Sequence, residues 1–195
     1  SVDYSIFADA LWIDDSSNLR TYGIMPKVTY MINKNLIYSG YLKYQDKNNQ
    51  HSIDKTKDSK YFELNSGLKY IYDKKISFNG GITYTQERKD KGTLTDIDKD
   101  SYNLKLTGTY LALQKISLAP TLSYKYTKYK DKSTFANLTN GNRTDDEFKA
   151  SLIMTYVYSQ KWLYQLGGDY TRNLSNNDAN SYNKHTFTCN IIRPF

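Results

Sequence analysis

The chain is 195 residues long, carries a net charge of +7 and is only 38% hydrophobic, with a mean hydropathy of −0.74, which leaves room for one domain and hardly for two. A single cysteine, Cys189, and two histidines, His51 and His185, exclude an internal disulfide and a typical zinc site, and no run of about 18 apolar residues is present to form a transmembrane helix. The basic residues are scattered among acids, which argues against nucleic-acid binding. The 20 tyrosines, against 7 Phe and 2 Trp, favour a surface that is half apolar and half wet, because the ring is apolar and the hydroxyl is not.

Alternation of apolar and polar residues begins at once, in segments 2–13 and 20–32. In 35–46, Leu36, Tyr38, Gly40, Leu42 and Tyr44 form one face, and Ile37, Ser39, Tyr41 and Lys43 the other. Segment 60–72 follows, then 75–87, where Ile76, Phe78, Ile82 and Tyr84 oppose Ser77, Asn79, Thr83 and Thr85. In 101–112, Tyr102, Leu104, Leu106 and Tyr110 oppose Asn103, Lys105, Thr107 and Thr109. Segments 115–129, 145–158, 161–173 and 183–195 complete the series. Period two over this length predicts β-strands with one apolar and one polar face. Most segments are longer than the usual globular strand of about 5–6 residues and match the roughly 9–11 residues of a tilted membrane-crossing strand.

The connections alternate between long and short. The long ones are "DDSSNL", "KNNQHSIDKTKDS", "RKDKGTLTDIDKD", "KDKSTFANLTNGNRTD" and "LSNNDANSY"; the short ones are "NK", "DK", "LQ" and "SQ". Outer-membrane barrels have this asymmetry, with long extracellular loops and tight periplasmic turns. Tyr44, Tyr70, Tyr72, Tyr84, Tyr124, Tyr126, Tyr156, Tyr158, Trp162, Tyr164 and Tyr170 lie toward strand ends on the apolar parity, where aromatic girdles meet lipid headgroups. The fold expected is all-β, one domain over 1–195: a ten-stranded antiparallel up-and-down transmembrane β-barrel, roughly 20 Å across at the backbone. A soluble β-sandwich is the alternative, and it gives no reason for tyrosines on an apolar face. Pro26 and Pro120 fall inside strands and each removes a ladder donor, so a bulge or kink is expected at each. No charged-then-apolar leader begins at Ser1, so any signal peptide is expected to lie outside this chain.

The last segment, "HTFTCNIIRPF", places Phe187, Cys189, Ile191 and Phe195 on one lipid-facing parity. It resembles the C-terminal signature of bacterial outer-membrane proteins, which implies the barrel insertion machinery as a partner. Arg193 shares that parity and is close enough to the boundary to snorkel. A second resemblance lies in "LAPTLSYKYTKYKD" and in the run from "RTDDEFKASLIMTYVYSQKW" to "DYTRNLSNN" and "YNKH". These stretches look like the C-terminal barrels of surface lipoprotein assembly modulators. That resemblance implies a periplasmic helical-repeat domain before a barrel that helps deliver proteins to the cell surface. It also implies more than ten strands, so the chain would be a fragment or a shortened relative.

The inward parity carries small polar residues and the candidate lumen-lining charges Lys27, Lys43, Lys69, Lys105, Lys125 and Lys149, against Asp3, Asp9, Glu63, Glu147 and Asp169. Two readings compete here: a wet passage with a slight cationic bias toward anionic solutes, or ion pairs across the lumen that plug it. His51, near Asp54 and Asp58, and His185, on the lipid parity, lack the paired groups that rim catalysis needs. Asp96, Asp98 and Asp100 lack the Gly and closing Glu of an EF-hand loop. No enzymatic activity, metal or cofactor is therefore expected. Lys55, Lys57, Lys60, Arg88, Lys89 and Lys91 suit lipopolysaccharide phosphates, or simply solubility. The function expected is a narrow channel or secretion component in the bacterial outer membrane, passing a small anionic solute or an exported protein. The alternatives are a plugged adhesion barrel that binds through its loops and, after it, a rim enzyme.

Overall fold

The computed structural model describes residues 1–13, 16–49, 58–90, 97–132, 142–159 and 162–193, with side chains for all of these but 4–13, 16–19, 49, 131 and 132. Ten strands follow one another: β1 (Val2–Ile13), β2 (Ser16–Asn33), β3 (Leu36–Asn49), β4 (Ser59–Ile71), β5 (Ile76–Lys89), β6 (Lys99–Leu113), β7 (Ile116–Lys132), β8 (Asn142–Ser159), β9 (Trp162–Ser175) and β10 (Tyr182–Ile192). A 3₁₀ turn, Asp178–Asn180, precedes β10. All ten strands pair antiparallel with their sequence neighbours in one sheet, in the order β1 to β10. Among the described residues no pair joins β1 to β10.

The tight turns at 34–35, 72–75 and 114–115 lie at one end of the sheet, here called the turn side. The first of them is closed by the Asn33 side chain, which accepts from the Asn35 amide, while the Asn35 side chain donates to the Ile71 carbonyl. Asp73 similarly accepts from the amides of Lys75 and Ile76. Short polar side chains that mimic a backbone turn are the reason such stretches reverse the chain.

Two expectations need correction. The first connection is not long. β2 begins at Ser16, inside the "DDSSNL" stretch, and pairs with β1 through Ile13↔Ser16 and Trp12↔Ser17 after a register shift at Leu11/Trp12. Long and short connections therefore alternate from the second connection onward. Ser and Asn favour turns in isolation, but strands on both flanks offer ladder partners that outweigh the local preference. The second correction concerns the prolines. Register is continuous past Pro26, running from Ile24↔Tyr44 to Lys27↔Tyr41, and past Pro120, running from Thr107↔Thr121 to Tyr110↔Leu118. Each proline interrupts the pairing without shifting it. At Pro120 the opposing residue is Gly108, and a Cβ there would stand 3.4 Å from the proline ring; the glycine leaves the ring its space. The register shifts fall near strand ends instead, at Met31/Asn33, Leu111/Leu113, Lys128/Lys132 and Val157/Ser159.

The distribution of residues is inverted relative to a water-soluble domain. Among the described residues no hydrophobic side chain is buried, and the buried ones are polar: Gln45, Ser59, Glu87, Ser101, Thr127, Asp145, Asn173 and Asn177. The apolar residues Leu64, Leu68, Ile82, Leu106, Leu122, Leu152 and Leu166 are all exposed on the outer face. No second sheet covers them, so the sandwich alternative fails. Such a face is stable only against hydrocarbon.

Aromatic rings bound this apolar band. On the loop side, Phe62, Tyr84 and Tyr102 follow one another at centroid distances of 6.5 and 5.1 Å, and Tyr124 meets Phe148 at 4.8 Å. On the turn side, Tyr156, Tyr158 and Tyr164 cluster at 6.3–6.4 Å. Tyr102 and Tyr110, at opposite ends of β6, are about 27 Å apart along the strand, or roughly 21 Å across the membrane at a 40° tilt.

Candidate functional site

The inner face supplies the polar chemistry, and cross-strand register assembles it. Its small residues satisfy one another: Asn65 donates to Thr83, and Ser101 and Thr127 share a hydrogen bond, as do Thr107 and Thr121. Asn65, Thr83 and Ser101 belong to a cavity of about 520 Å³ lined also by Tyr41, Tyr61, Glu63, Thr85, Glu87, Lys99, Asn103, Lys105 and Lys125.

Two carboxylates organise this cavity. Glu63 accepts from the Tyr41 hydroxyl at 2.5 Å and from the Tyr61 hydroxyl. Glu87 is nearer the loop side. It accepts from Lys47 at 2.7 Å, Ser59 at 3.0 Å and Lys99 at 3.2 Å. The Lys47 ammonium also sits 4.5 Å from the Tyr61 ring centroid, and that of Lys43 sits 5.8 Å from it. The Glu63 bonds are partly buried and the Ser59–Glu87 bond is buried, so losing a partner carries a modest cost. Tyr61→Phe should therefore lower unfolding stability by about 1 kcal/mol and leave the fold intact. Denaturant titration of detergent-folded protein checks this, and an unchanged midpoint would mean that Glu63 does not need its second phenol.

The candidate charges divide into two groups. Lys149 pairs with Asp169 at 3.4 Å, and Glu147 accepts from Tyr182 at 3.2 Å. Lys43 stands opposite Glu63 in register. Lys27 and Lys69 are on the inner face but outside the cavity. For the ammonium groups of Lys105 and Lys125 the described residues offer neither an ion pair nor a hydrogen bond, although Glu147 is the register partner of Lys125. The inner-face ion pairs between described residues run along the wall: Arg143–Asp145 within β8, Lys99–Glu87 and Lys149–Asp169 between adjacent strands, and Lys47–Glu87 between strands next but one.

Sequence parity alone passed over Glu87, Lys47, Lys99, Tyr41 and Tyr61. The available signal was two tyrosines on the polar parity, Tyr41 and Tyr61, among small side chains where an aromatic has no lipid to meet.

Outside the wall, a second set of charges lies just beyond the loop-side aromatics. Asp100 accepts from Arg88 at 2.5 Å and pairs with Lys130 at 2.8 Å, and Lys60 pairs with Asp90 at 3.4 Å. Asp98 accepts from the Lys89 amide, so the acids of the "DIDKD" loop that are described are engaged by protein donors; Asp96 lies outside the described residues. Among the described residues no group of three His, Cys, Asp or Glu side chains is placed to hold a metal.

A family model described as surface lipoprotein assembly modifier matches residues 1–195, the whole chain. The chain belongs to that family. No curated protein matches it. Among solved structures it is similar to the toluene transporter TodX of Pseudomonas putida, with 9% sequence identity and a TM-score of 0.42, over 81% of this chain and 56% of that one. The chain thus spans about half the length of that transporter.

On β10 Phe187 is the register partner of Gly168, on the parity of Leu166 and Tyr170 in β9. Phe187 is 87% exposed, and Cys189 and Ile191 are exposed on the same parity; Phe195 lies outside the described residues. Arg193 places its guanidinium 5.5 Å from the Trp162 ring centroid, a cation–π contact at the turn-side boundary. His185 lies against Tyr170 on the outer face, with ring centroids 5.0 Å apart and planes tilted by 38°. His51 lies outside the described residues.

Proposed function

We propose that the chain forms the wall of a bacterial outer-membrane β-barrel that takes part in assembling lipoproteins at the cell surface, with its polar inner face as the route. The family to which it belongs carries that description. The observation that carries the reading is the inverted wall: apolar residues exposed outward, polar residues buried, and charges on the inside that hold one another along the wall rather than across it. A segment in passage then meets hydrogen-bonding groups instead of hydrocarbon. The barrel works without covalent chemistry, and its insertion uses the outward parity of Phe187, Cys189, Ile191 and Phe195.

The test is cellular. In cells lacking the full-length protein, a surface lipoprotein should become protected from externally added protease. The wild-type gene should restore cleavage, and a gene carrying Lys105→Glu and Lys125→Glu should restore it several-fold less well. Undiminished surface exposure in the deletion strain would sink this reading.

The unpaired Lys105 and Lys125 favour a second reading, a narrow passage for small anionic solutes. Planar-bilayer recordings separate the two. Stable, anion-selective conductance without any exported protein supports the second.

A further inference from the structure

On the outer face Ala150 stands between larger residues in one register row. Leu106, Leu122, Ala150 and Tyr170 are register partners across β6, β7, β8 and β9. Leu122 and Tyr170 stand out on either side of Ala150, whose methyl cannot fill the gap. The result is a cavity of about 300 Å³, closed toward the loop side by the Tyr124–Phe148 ring pair. It lies in the loop-side half of the apolar band.

A cation stands in line with that closing pair. Arg172 is the register partner of Phe148 and shares the outward parity of Tyr170 and Leu174. Among the described residues it has no ion-pair partner. The acid two residues before Phe148, Asp146, is held by the Tyr124 hydroxyl at 2.5 Å instead. The Tyr170 hydroxyl donates to Asn183, the register partner of Arg172 on β10, so neither flanking polar group is engaged by the guanidinium. An unpaired guanidinium on a lipid-facing surface is costly unless it reaches a headgroup, and its forked donors suit a phosphate.

We propose that the Ala150 notch and Arg172 form a seat for one phosphate-bearing lipid of the outer leaflet. One acyl chain fills the notch and the headgroup phosphate meets Arg172. This rests on the membrane reading of the wall and not on the export reading, so it stands or falls separately from the protease assay.

The full-length protein, purified in detergent, is titrated with lipid A and with dephosphorylated lipid A, and retained lipid is counted by native mass spectrometry. Wild type should hold one lipid A about tenfold more tightly than the dephosphorylated form. Arg172→Gln should remove that preference. Ala150→Leu, which fills the notch from the lipid side, should weaken binding of both forms about tenfold. Heat-modifiable gel mobility confirms that each variant is folded. Equal retention by wild type and both variants, or equal affinity for the two lipids in wild type, overturns the proposal.

Discussion

Arginine in place of Leu122 should cost about 2–4 kcal/mol of folding stability in lipid vesicles, although Leu122 is 60% exposed. In a soluble protein a leucine with that exposure tolerates a charge. Here the neighbours of Leu122 are Leu106 and Ala150 on the flanking strands, with Pro120 and Tyr124 along its own, so the new guanidinium would enter the middle of the apolar band. Arginine at Thr121, one residue earlier, points to the inner face. It loses only the hydroxyl contact with Thr107 at 3.1 Å, a cost of about 1 kcal/mol. Equilibrium unfolding of both variants from vesicles gives the two numbers side by side. Equal costs would mean that the two faces see the same solvent, and the membrane wall would have to be abandoned.

Glu87→Gln carries the second-largest effect. Glu87 is 9% exposed, and its carboxylate is the shared partner of Lys47, Lys99 and Ser59. The amide keeps the shape but removes the charge. Two ammonium groups are then left side by side, Lys47 from β3 and Lys99 from β6, with no counter-charge at that carboxyl. Removing one member of such a group costs far more than the group's net contribution, because the remaining charges stay desolvated. The expected loss is about 1–3 kcal/mol, reduced by the partial exposure of both lysines. Adding Lys99→Gln should recover part of it by relieving the repulsion. Raised salt should shrink the effect of the single variant, since screening weakens like-charge contacts near the loop-side mouth. Denaturant midpoints at low and high salt measure both. A single variant as stable as wild type at low salt would show that Glu87 is not the hub of this network.

How much of this was legible beforehand depends on the range of the interaction concerned. Strand positions were legible because apolar–polar alternation is a property of neighbouring residues. β1 was placed at its observed ends, and β4 and β5 within a residue or two. The misreadings share one cause. "DDSSNL" has turn-forming residues, yet Ser16 and Ser17 pair with Ile13 and Trp12. Pro26 and Pro120 lack a donor, yet the strands keep register around them. In each case the partner strand decided, and a partner strand is invisible to local composition.

The sequence by itself determined that the chain is all-β, where its strands run, and which face of each is apolar, because period two needs no knowledge of what packs against what. It did not determine which charges meet. Lys47 and Glu87 are 40 residues apart and sit on strands that are not even neighbours, while Lys125 and Glu147, opposed in register, form no ion pair. Only the stacking of two registers, β3 on β4 and β4 on β5, brings one pair together, since side chains on the inner face converge across a strand and their reach, not their spacing in the chain, selects the partner.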